Sequence, residues 1–235
     1  MREGVGKALR RAFGQEDLIR KLEPREAGVS RLMNPKRRRI FVHLLRSPCS
    51  HLRQLSRELD IPTQTLKWHL AELQKAGILD SVPVGNRKCF FVPARIERED
   101  VPALSHLSDE MSREIVSLLV SRGPLSLKSI FTSLKTYYQA VQHRLKRLEE
   151  AGLVRSDKRG RKRTYEVSSE LVGLRDRYLE KKTETSSELR KVLDDDGLSP
   201  EVVKTLTRST VYMIDTGTGR EEIELFLDPL AVLKG

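Results

Sequence analysis

The sequence feature that most constrains this chain is a helix-like stretch that occurs twice. In the first copy, TQTLKWHLAELQKAGIL (Thr63–Leu79), apolar residues recur at helical spacing, and a glycine follows where a left-handed C-terminal cap is needed. The shift in residue number that takes Leu66 to Val141 also aligns the other residues of this pattern. It takes Leu70, Leu73, Gly77 and Leu79 to Leu145, Leu148, Gly152 and Val154. We call this the repeat shift. The sequence therefore predicts a tandem duplication of one helix–glycine–strand unit.

Each copy of this unit belongs to a longer pattern of helices and a β-hairpin. In the first copy, Asn34 and Pro35 are typical of a helix start. Two further helices and two strands are predicted at about residues 51–59, 63–76, 78–82 and 88–92. The same order recurs after Asp109, which is again a favourable helix cap. The pattern predicts an α+β fold class, mainly α with small β-hairpins.

The residues outside the duplicated part predict two extensions. We expect a helical N-terminal extension at 1–29, repeated domains at 30–96 and 97–170, and a mixed C-terminal extension at 171–235. The C-terminal extension predicts a helix that could form a homodimer through Leu171, Leu174, Tyr178, Leu189 and Leu193. A short helix at 200–206 and two strands at 211–214 and 223–226, paired across the turn at 216–219, are also predicted.

The chain is strongly basic, with a formal net charge of +11. The charge is clustered in RSDKRGRKR (Arg155–Arg163) and KRRR (Lys36–Arg39). Such clusters favour an anionic partner, and nucleic acid is the first candidate. The sequence has no run of about eighteen apolar residues and no apolar segment typical of a secretory signal, so we expect a cytoplasmic protein without a membrane partner.

The sequence shows no constellation of catalytic or metal-binding residues. It contains no P-loop, GxSxG, HExxH or paired-cysteine motif, which predicts a non-enzyme without metal or cofactor. Cys49 and Cys89 are expected to be buried free thiols on short strands of one sheet. His43, Cys49 and His51 are the only near-cluster of metal ligands, and a metal site there is the weaker interpretation.

Two phrases carry a resemblance to a known family. HLRQLSRELDIPTQTLKWHLAELQKAGILD and VQHRLKRLEEAGLVRS resemble the signature of ArsR/MarR-type regulators, and are most similar to archaeal winged-helix transcription regulators. The resemblance covers about residues 30–170. It implies two tandem winged helix-turn-helix domains, in which the third helix of each enters the major groove of DNA. The hairpin that follows would be a wing on the DNA backbone or in the minor groove.

The resemblance and the side-chain chemistry together indicate a set of DNA-binding residues. In the first domain these are Thr63, Gln64, Thr65, Lys67, Trp68, Arg87 and Lys88. In the second they are Tyr138, Gln139, Gln142, His143, Lys146, Lys158, Arg159, Arg161, Lys162 and Arg163. Glutamine can bind adenine through two hydrogen bonds, and lysine binds guanine or phosphate. The run from Arg161 to Arg163 is the preferred phosphate-binding candidate.

Several of these assignments have alternatives. Lys67 and Lys146 could be solvated, and Trp68 could instead pack on the second domain or on a second copy of the chain. His69 is expected to be a half-buried structural residue. The leading hypothesis for function is a sequence-preferring transcription regulator of double-stranded DNA in the cytoplasm (nucleoid). An abundant nucleoid or chromatin protein with low sequence specificity, and a winged-helix protein–protein adaptor, remain as alternatives.

Overall fold

The computed structural model of the chain describes residues 30–159 and 162–230. All of its described helices and strands belong to one compact unit that begins at Arg31. The helices expected at 1–29 lie outside the described residues. We call residues 34–92 the first module and residues 109–167 the second module, because the repeat shift relates them.

The first module consists of three helices and a three-stranded antiparallel sheet. Its elements are α1 (Pro35–Arg46), β1 (Ser50–His51), α2 (Leu52–Leu59), α3 (Thr63–Lys75), β2 (Asp80–Val84) and β3 (Arg87–Phe91), with sheet order β1-β3-β2. The predicted helix start is confirmed, because Asn34 Oδ1 accepts hydrogen bonds from the N–H groups of Lys36 (3.0 Å) and Arg37 (3.2 Å). Leu66 and Leu70 are buried, so the predicted apolar face of α3 lies in the core.

The second module repeats this architecture. A helical turn (Arg98–Asp100) and α4 (Val101–Ser105) precede α5 (Glu110–Arg122), β4 (Leu125–Ser126), α6 (Leu127–Ser133), α7 (Tyr138–Glu150), β5 (Val154–Arg159) and β6 (Lys162–Val167). Ser50 pairs with Phe90 in the first sheet, and Leu125 pairs with Tyr165 in the second. The repeat shift therefore preserves strand register, and the predicted α+β fold class is confirmed.

The turn between the second and third helices has the same backbone in both modules. Asp60 has a φ of 52° and Lys135 a φ of 50°, a region that residues other than glycine rarely adopt. The third helices then end as predicted, at Gly77 (φ 72°) and Gly152 (φ 69°). Equivalent left-handed residues thus occur in both modules, in the turn before the third helix and directly after its end.

Two helices and a third antiparallel sheet follow the second module. They are α8 (Ser169–Glu180), α9 (Lys182–Asp195), β7 (Glu201–Thr205), β8 (Ser209–Asp215) and β9 (Arg220–Phe226), with sheet order β7-β8-β9. The predicted hairpin is confirmed, with Tyr212 opposite Ile223. The helix predicted at 200–206 is wrong. Residues 201–205 are strand β7, because their β-branched side chains favour a strand and Val202 pairs with Tyr212 of β8.

The two C-terminal helices pack on different modules. Leu171, Leu174 and Tyr178 of α8 lie in the core of the second module, whereas Leu189 and Leu193 of α9 lie in the core of the first. All five side chains are buried. These are the side chains that the sequence predicts as a homodimer contact. That prediction needs correction, because the chain uses them for its own two cores and does not expose them to a second copy.

Arg38, one residue of the basic KRRR run, stabilises the fold through hydrogen bonds. The Arg38 guanidinium donates hydrogen bonds to the Leu32 carbonyl oxygen (2.8 Å) and to the Glu221 carboxylate (2.5 Å), which joins α1 to β9. A second buried arginine, Arg95, donates to the Asp228 carbonyl oxygen (2.6 Å). Burial lowers the pKa of Arg95 to about 9, so this side chain is still charged at neutral pH.

The described residues include two free cysteines, Cys49 and Cys89, and both are buried as predicted. Burial raises the pKa of both thiols. Within the described residues, no group of three or more histidine, cysteine, aspartate or glutamate side chains could hold a metal ion. In the same ranges, no helix has both the length and the apolar character needed to cross a membrane.

Candidate nucleic-acid interface

Helix α3 divides its side chains between the core and the solvent. Leu66 lies in the core, whereas Thr63, Gln64 and Lys67 are exposed and Thr65 is partly exposed. This division follows the helical period, because residues three or four positions apart share a face. The first two turns of α3 therefore present hydroxyl, amide and ammonium groups together on one surface.

Trp68 extends the exposed surface of α3. Its side chain is 56% exposed, and the Arg37 guanidinium carbon lies 5.6 Å from its ring centre, which is a cation–π distance. Its other described ring contact is His69, so both contacts lie within the first module. His69, expected to be half-buried, is only 4% exposed. Burial lowers the pKa of His69, so the ring is neutral at pH 7.

The first hairpin turns at Gly85, which has a φ of 58°. Arg87 and Lys88 follow on β3, and both are exposed. Arg87 Nη1 lies 3.0 Å from His51 Nε2, and His51 Nδ1 in turn accepts a hydrogen bond from the Gln54 N–H at the start of α2 (3.2 Å). The Arg87 side chain is thus held beside the helix-turn-helix.

Helix α7 presents a different set of side chains on the corresponding surface. Its exposed predicted residues are Tyr138, Gln139, Gln142, His143 and Lys146. Lys146 Nζ lies 3.8 Å from the Glu150 carboxylate, one turn further along the same helix. The Tyr138 ring meets the Phe131 ring edge-on, with 5.9 Å between their centres. The two modules therefore expose different chemistry on one common backbone.

Helix α7 is anchored to α5 through Arg144. The Arg144 guanidinium donates two hydrogen bonds to the Asp109 carboxylate, at 2.8 and 3.2 Å. The same carboxylate caps α5 by accepting from the Ser112 N–H (3.0 Å). Burial raises the pKa of Asp109, but the hydrogen bonds from Arg144 and Ser112 outweigh that effect and the pKa is lowered. The ionised carboxylate thus fixes α7 relative to the start of α5.

Arg163, a predicted DNA-binding residue of the second hairpin, forms hydrogen bonds with other residues of the chain. Arg163 Nη2 donates to the two carboxylate oxygens of Glu149 (3.0 and 3.3 Å) and to the Ser156 hydroxyl (2.8 Å). The guanidinium carbon also lies 5.3 Å from the ring centre of Tyr165. Phosphate binding by Arg163 stays a prediction, and the structure adds that its guanidinium already has a carboxylate partner within the chain. Its charge is shared with Glu149, and it ties β6 to α7.

The other basic residues of this hairpin differ in their surroundings. Lys158 and Lys162 have exposed side chains. Arg161 and the side chain of Arg159 lie outside the part of the chain that the structure describes. Arg155, at the start of β5, pairs with Glu166 across the hairpin at 2.8 Å. The basic cluster seen in the sequence is thus partly neutralised within the hairpin.

A groove of about 660 Å³ lies between the second hairpin and the helices α6 and α7. Lys128, Tyr138, Gln142, Lys162 and Arg163 contribute to its walls. Among its described lining residues there are three cations and no carboxylate. Lys128 is absent from the predicted set. The duplication could have indicated it, because the repeat shift relates it to Arg53 of the first module, which is also basic.

Comparison with known proteins agrees with this geometry. Residues 32–82, which include α1 to α3, match the helix-turn-helix domain family. An uncharacterised HTH-type transcriptional regulator of Methanocaldococcus jannaschii is 35% identical over 141 residues, which are 60% of this chain. The chain spans only 35% of the length of that relative. The predicted resemblance to helix-turn-helix transcription regulators is therefore confirmed.

Proposed function

We propose that this chain, whose residues 32–82 match a helix-turn-helix domain, is a transcription regulator that binds double-stranded DNA through both modules. In this proposal α3 and α7 are recognition helices in the major groove, and the hairpins contact the DNA backbone or the minor groove. The exposed surface of α3 carries the proposal. Gln64 and Lys67 lie there together, opposite a face that Leu66 and Leu70 bury in the core.

The side chains on this surface suit base edges and phosphates. A glutamine amide can form two hydrogen bonds with adenine, and a lysine can donate to guanine or to phosphate. Thr63 and Thr65 lie in the first turn of α3, where free N–H groups and hydroxyls bind phosphate oxygens. The major groove of B-form DNA is about 12 Å wide and admits an α-helix. The first module thus has groups both for reading bases and for binding the backbone.

The two modules are expected to contact different half-sites. Lys67 and Trp68 on α3 are replaced at the equivalent positions of α7 by Gln142 and His143, whereas Gln64 is kept as Gln139. A substitution of hydrogen-bonding groups on a recognition helix changes which base edges are bound. A target without two-fold symmetry is therefore expected, in contrast to the palindromic sites of symmetric dimers.

A salt titration with matched variants tests the proposal. We would select a preferred duplex from a random pool and measure its affinity, and that of an unselected duplex, for wild type, for a Gln64→Ala/Lys67→Ala variant and for Lys191→Ala. Each variant removes one positive charge, but Lys191 is an exposed residue of α9, remote in sequence from both recognition helices. The double variant should lose about tenfold or more in affinity for the preferred duplex, because one good base contact contributes about 1–3 kcal/mol.

The outcomes separate the candidate functions. A wild-type log–log salt slope of about −0.9 per contacted phosphate, with a clear preference for the selected duplex, supports a regulator. Equal binding to all duplexes with a steep slope would instead indicate an architectural protein. An absence of duplex binding even at low salt would contradict the proposal and indicate a protein–protein adaptor.

A further inference from the structure

Two tyrosines at the start of α7 distinguish the second module from the first. Tyr137 is 81% exposed and Tyr138 is 49% exposed. The repeat shift relates them to Pro62 and Thr63 of the first module. The backbone is the same at both helix starts, with φ and ψ of −53° and 136° at Pro62 and of −84° and 141° at Tyr137. The helix start therefore does not require aromatic side chains.

One of the two exposed rings, that of Tyr138, lines the basic groove of the second module, and Tyr137 precedes it in the chain. Tyr138 is one wall of that groove, and Lys128 and Lys162 are exposed cations on its other walls. The volume of about 660 Å³ lies within the range of about 300–1,000 Å³ that small-ligand sites occupy. Gln142, on the next turn of α7, adds an amide that can both donate and accept hydrogen bonds. The groove thus combines an aromatic ring, positive charge and an amide that can form hydrogen bonds with a base.

This combination fits unpaired nucleotides. In a duplex the faces of the bases are covered by their neighbours, so an exposed tyrosine can stack on a base only where the base is unpaired. Sites for single strands combine a positively charged groove with aromatic rings on which successive bases stack. We propose that the second module carries a further binding activity for unpaired nucleotides, in which Tyr137 and Tyr138 stack on bases and Lys128 and Lys162 bind phosphates.

Arg163 gives the groove a fixed wall. Its hydrogen bonds to Glu149 and Ser156 hold the guanidinium in place, and Tyr165 lies beneath it. A preorganised wall lowers the entropy that is lost when a strand binds. The proposal rests on the nucleic-acid function proposed above, but it assigns a distinct ligand to the second module. The first module, with Pro62 and Thr63 in place of the two rings, is expected to lack this activity.

The experiment compares fluorescently labelled probes of equal length. They are an oligothymidylate of about 12 nucleotides, an abasic strand with the same number of phosphates, the corresponding oligouridylate and a blunt duplex. The proteins are wild type, Tyr137→Pro/Tyr138→Thr and Tyr138→Phe, all as full chains. The double variant installs the residues that the first module has at these positions, on a backbone that already accepts them there. The phenylalanine variant keeps the ring at position 138 and removes only its hydroxyl.

The expected results follow from stacking. Wild type should bind oligothymidylate at least about tenfold more tightly than the abasic strand, because only the former has bases that can stack on the two rings. The double variant should lose this difference, and Tyr138→Phe should keep it. Comparison of oligothymidylate with oligouridylate shows whether DNA or RNA is the preferred source of the strand.

Two results would overturn the proposal. One is equal affinity of wild type for oligothymidylate and the abasic strand, which would mean that the protein binds only the phosphates. If neither strand binds, the exposed rings would instead be expected to contact a protein. The other is unchanged oligothymidylate affinity in the double variant. Duplex binding is measured with the same proteins. If wild type does not bind the duplex, the proposed function fails, and this result is independent of the result with single strands. A cooperative urea denaturation like that of wild type shows that the double variant is folded.

Discussion

Asp109 and Arg144 join the first and third helices of the second module through two hydrogen bonds, of 2.8 and 3.2 Å. The repeat shift relates them to Asn34 and His69 of the first module. Asn34 caps α1 as Asp109 caps α5, but it has no charge to attract a partner on the third helix. The duplicated fold therefore keeps the cap in both modules and adds an ion pair in the second.

This relationship predicts a graded loss of stability. Asp109→Ala removes both the cap and the ion pair and should lower the free energy of unfolding by about 1–2 kcal/mol, since the partly exposed pair contributes little beyond the cap. Asp109→Asn keeps the capping oxygen and should cost less than about 1 kcal/mol. Urea denaturation measures both values. Equal losses in the two variants would show that the cap contributes nothing.

Lys162 and Arg163 are neighbours in sequence and are expected to differ in effect. Lys162→Ala should leave stability unchanged and reduce the log–log salt slope of duplex binding by about 0.9, the value for one phosphate contact. Arg163→Ala should lower the free energy of unfolding by about 0.2–1 kcal/mol, because the half-exposed Arg163 binds Glu149. Salt titration and thermal denaturation of both variants check this. A larger salt-slope change for Arg163→Ala than for Lys162→Ala would contradict it.

The packing of α9 predicts that its leucines act within one chain. Leu193→Ala should lower the free energy of unfolding by about 2–5 kcal/mol, because the side chain is fully buried in the core of the first module. Leu179→Ala is the control, since Leu179 is exposed on α8 and should change stability by less than about 0.5 kcal/mol. If Leu193→Ala instead halved the mass measured by light scattering without loss of stability, Leu193 would be an interface residue.

Four wholly or partly buried histidines predict that the protein loses stability on mild acidification. Burial lowers the pKa values of His43, His51, His69 and His106 in the folded chain. As pH falls below about 6.5, the unfolded chain therefore takes up protons first. The stability contributed by the neutral rings is present above that pH and is lost as pH falls toward the folded-state pKa values.

Urea denaturation at about pH 7.5 and about pH 5.5 measures this loss. The free energy of unfolding should be smaller at the lower pH. His69→Leu keeps an apolar side chain in the core and removes one proton-binding group, so its difference between the two pH values should be smaller than that of wild type. A wild-type protein that became more stable at the lower pH would contradict the lowered pKa values of these histidines.

Local patterns predicted the elements that carry the candidate site. The apolar spacing that includes Leu66 and Leu70 identified α3 and its exposed face, and Gly77 identified its end. The prediction of a helix at 200–206 was wrong. A proline after a serine is typical of a helix start, but this segment pairs with β8 and is therefore a strand. The left-handed residue Lys135 gave no signal in the sequence, since lysine is not among the residues enriched at positive φ.

The sequence by itself determined the duplication, the three-helix pattern and the exposed residues of α3 and α7. These follow from helical periodicity and from the backbone freedom of glycine, which act over a few residues. Only the tertiary structure decided which basic residues are available to a ligand. Arg38 is bound to Glu221, far away in sequence, and Arg163 to Glu149, whereas Lys162 is exposed. Such pairings depend on how distant segments meet in space, and a count of charges along the chain does not contain that information.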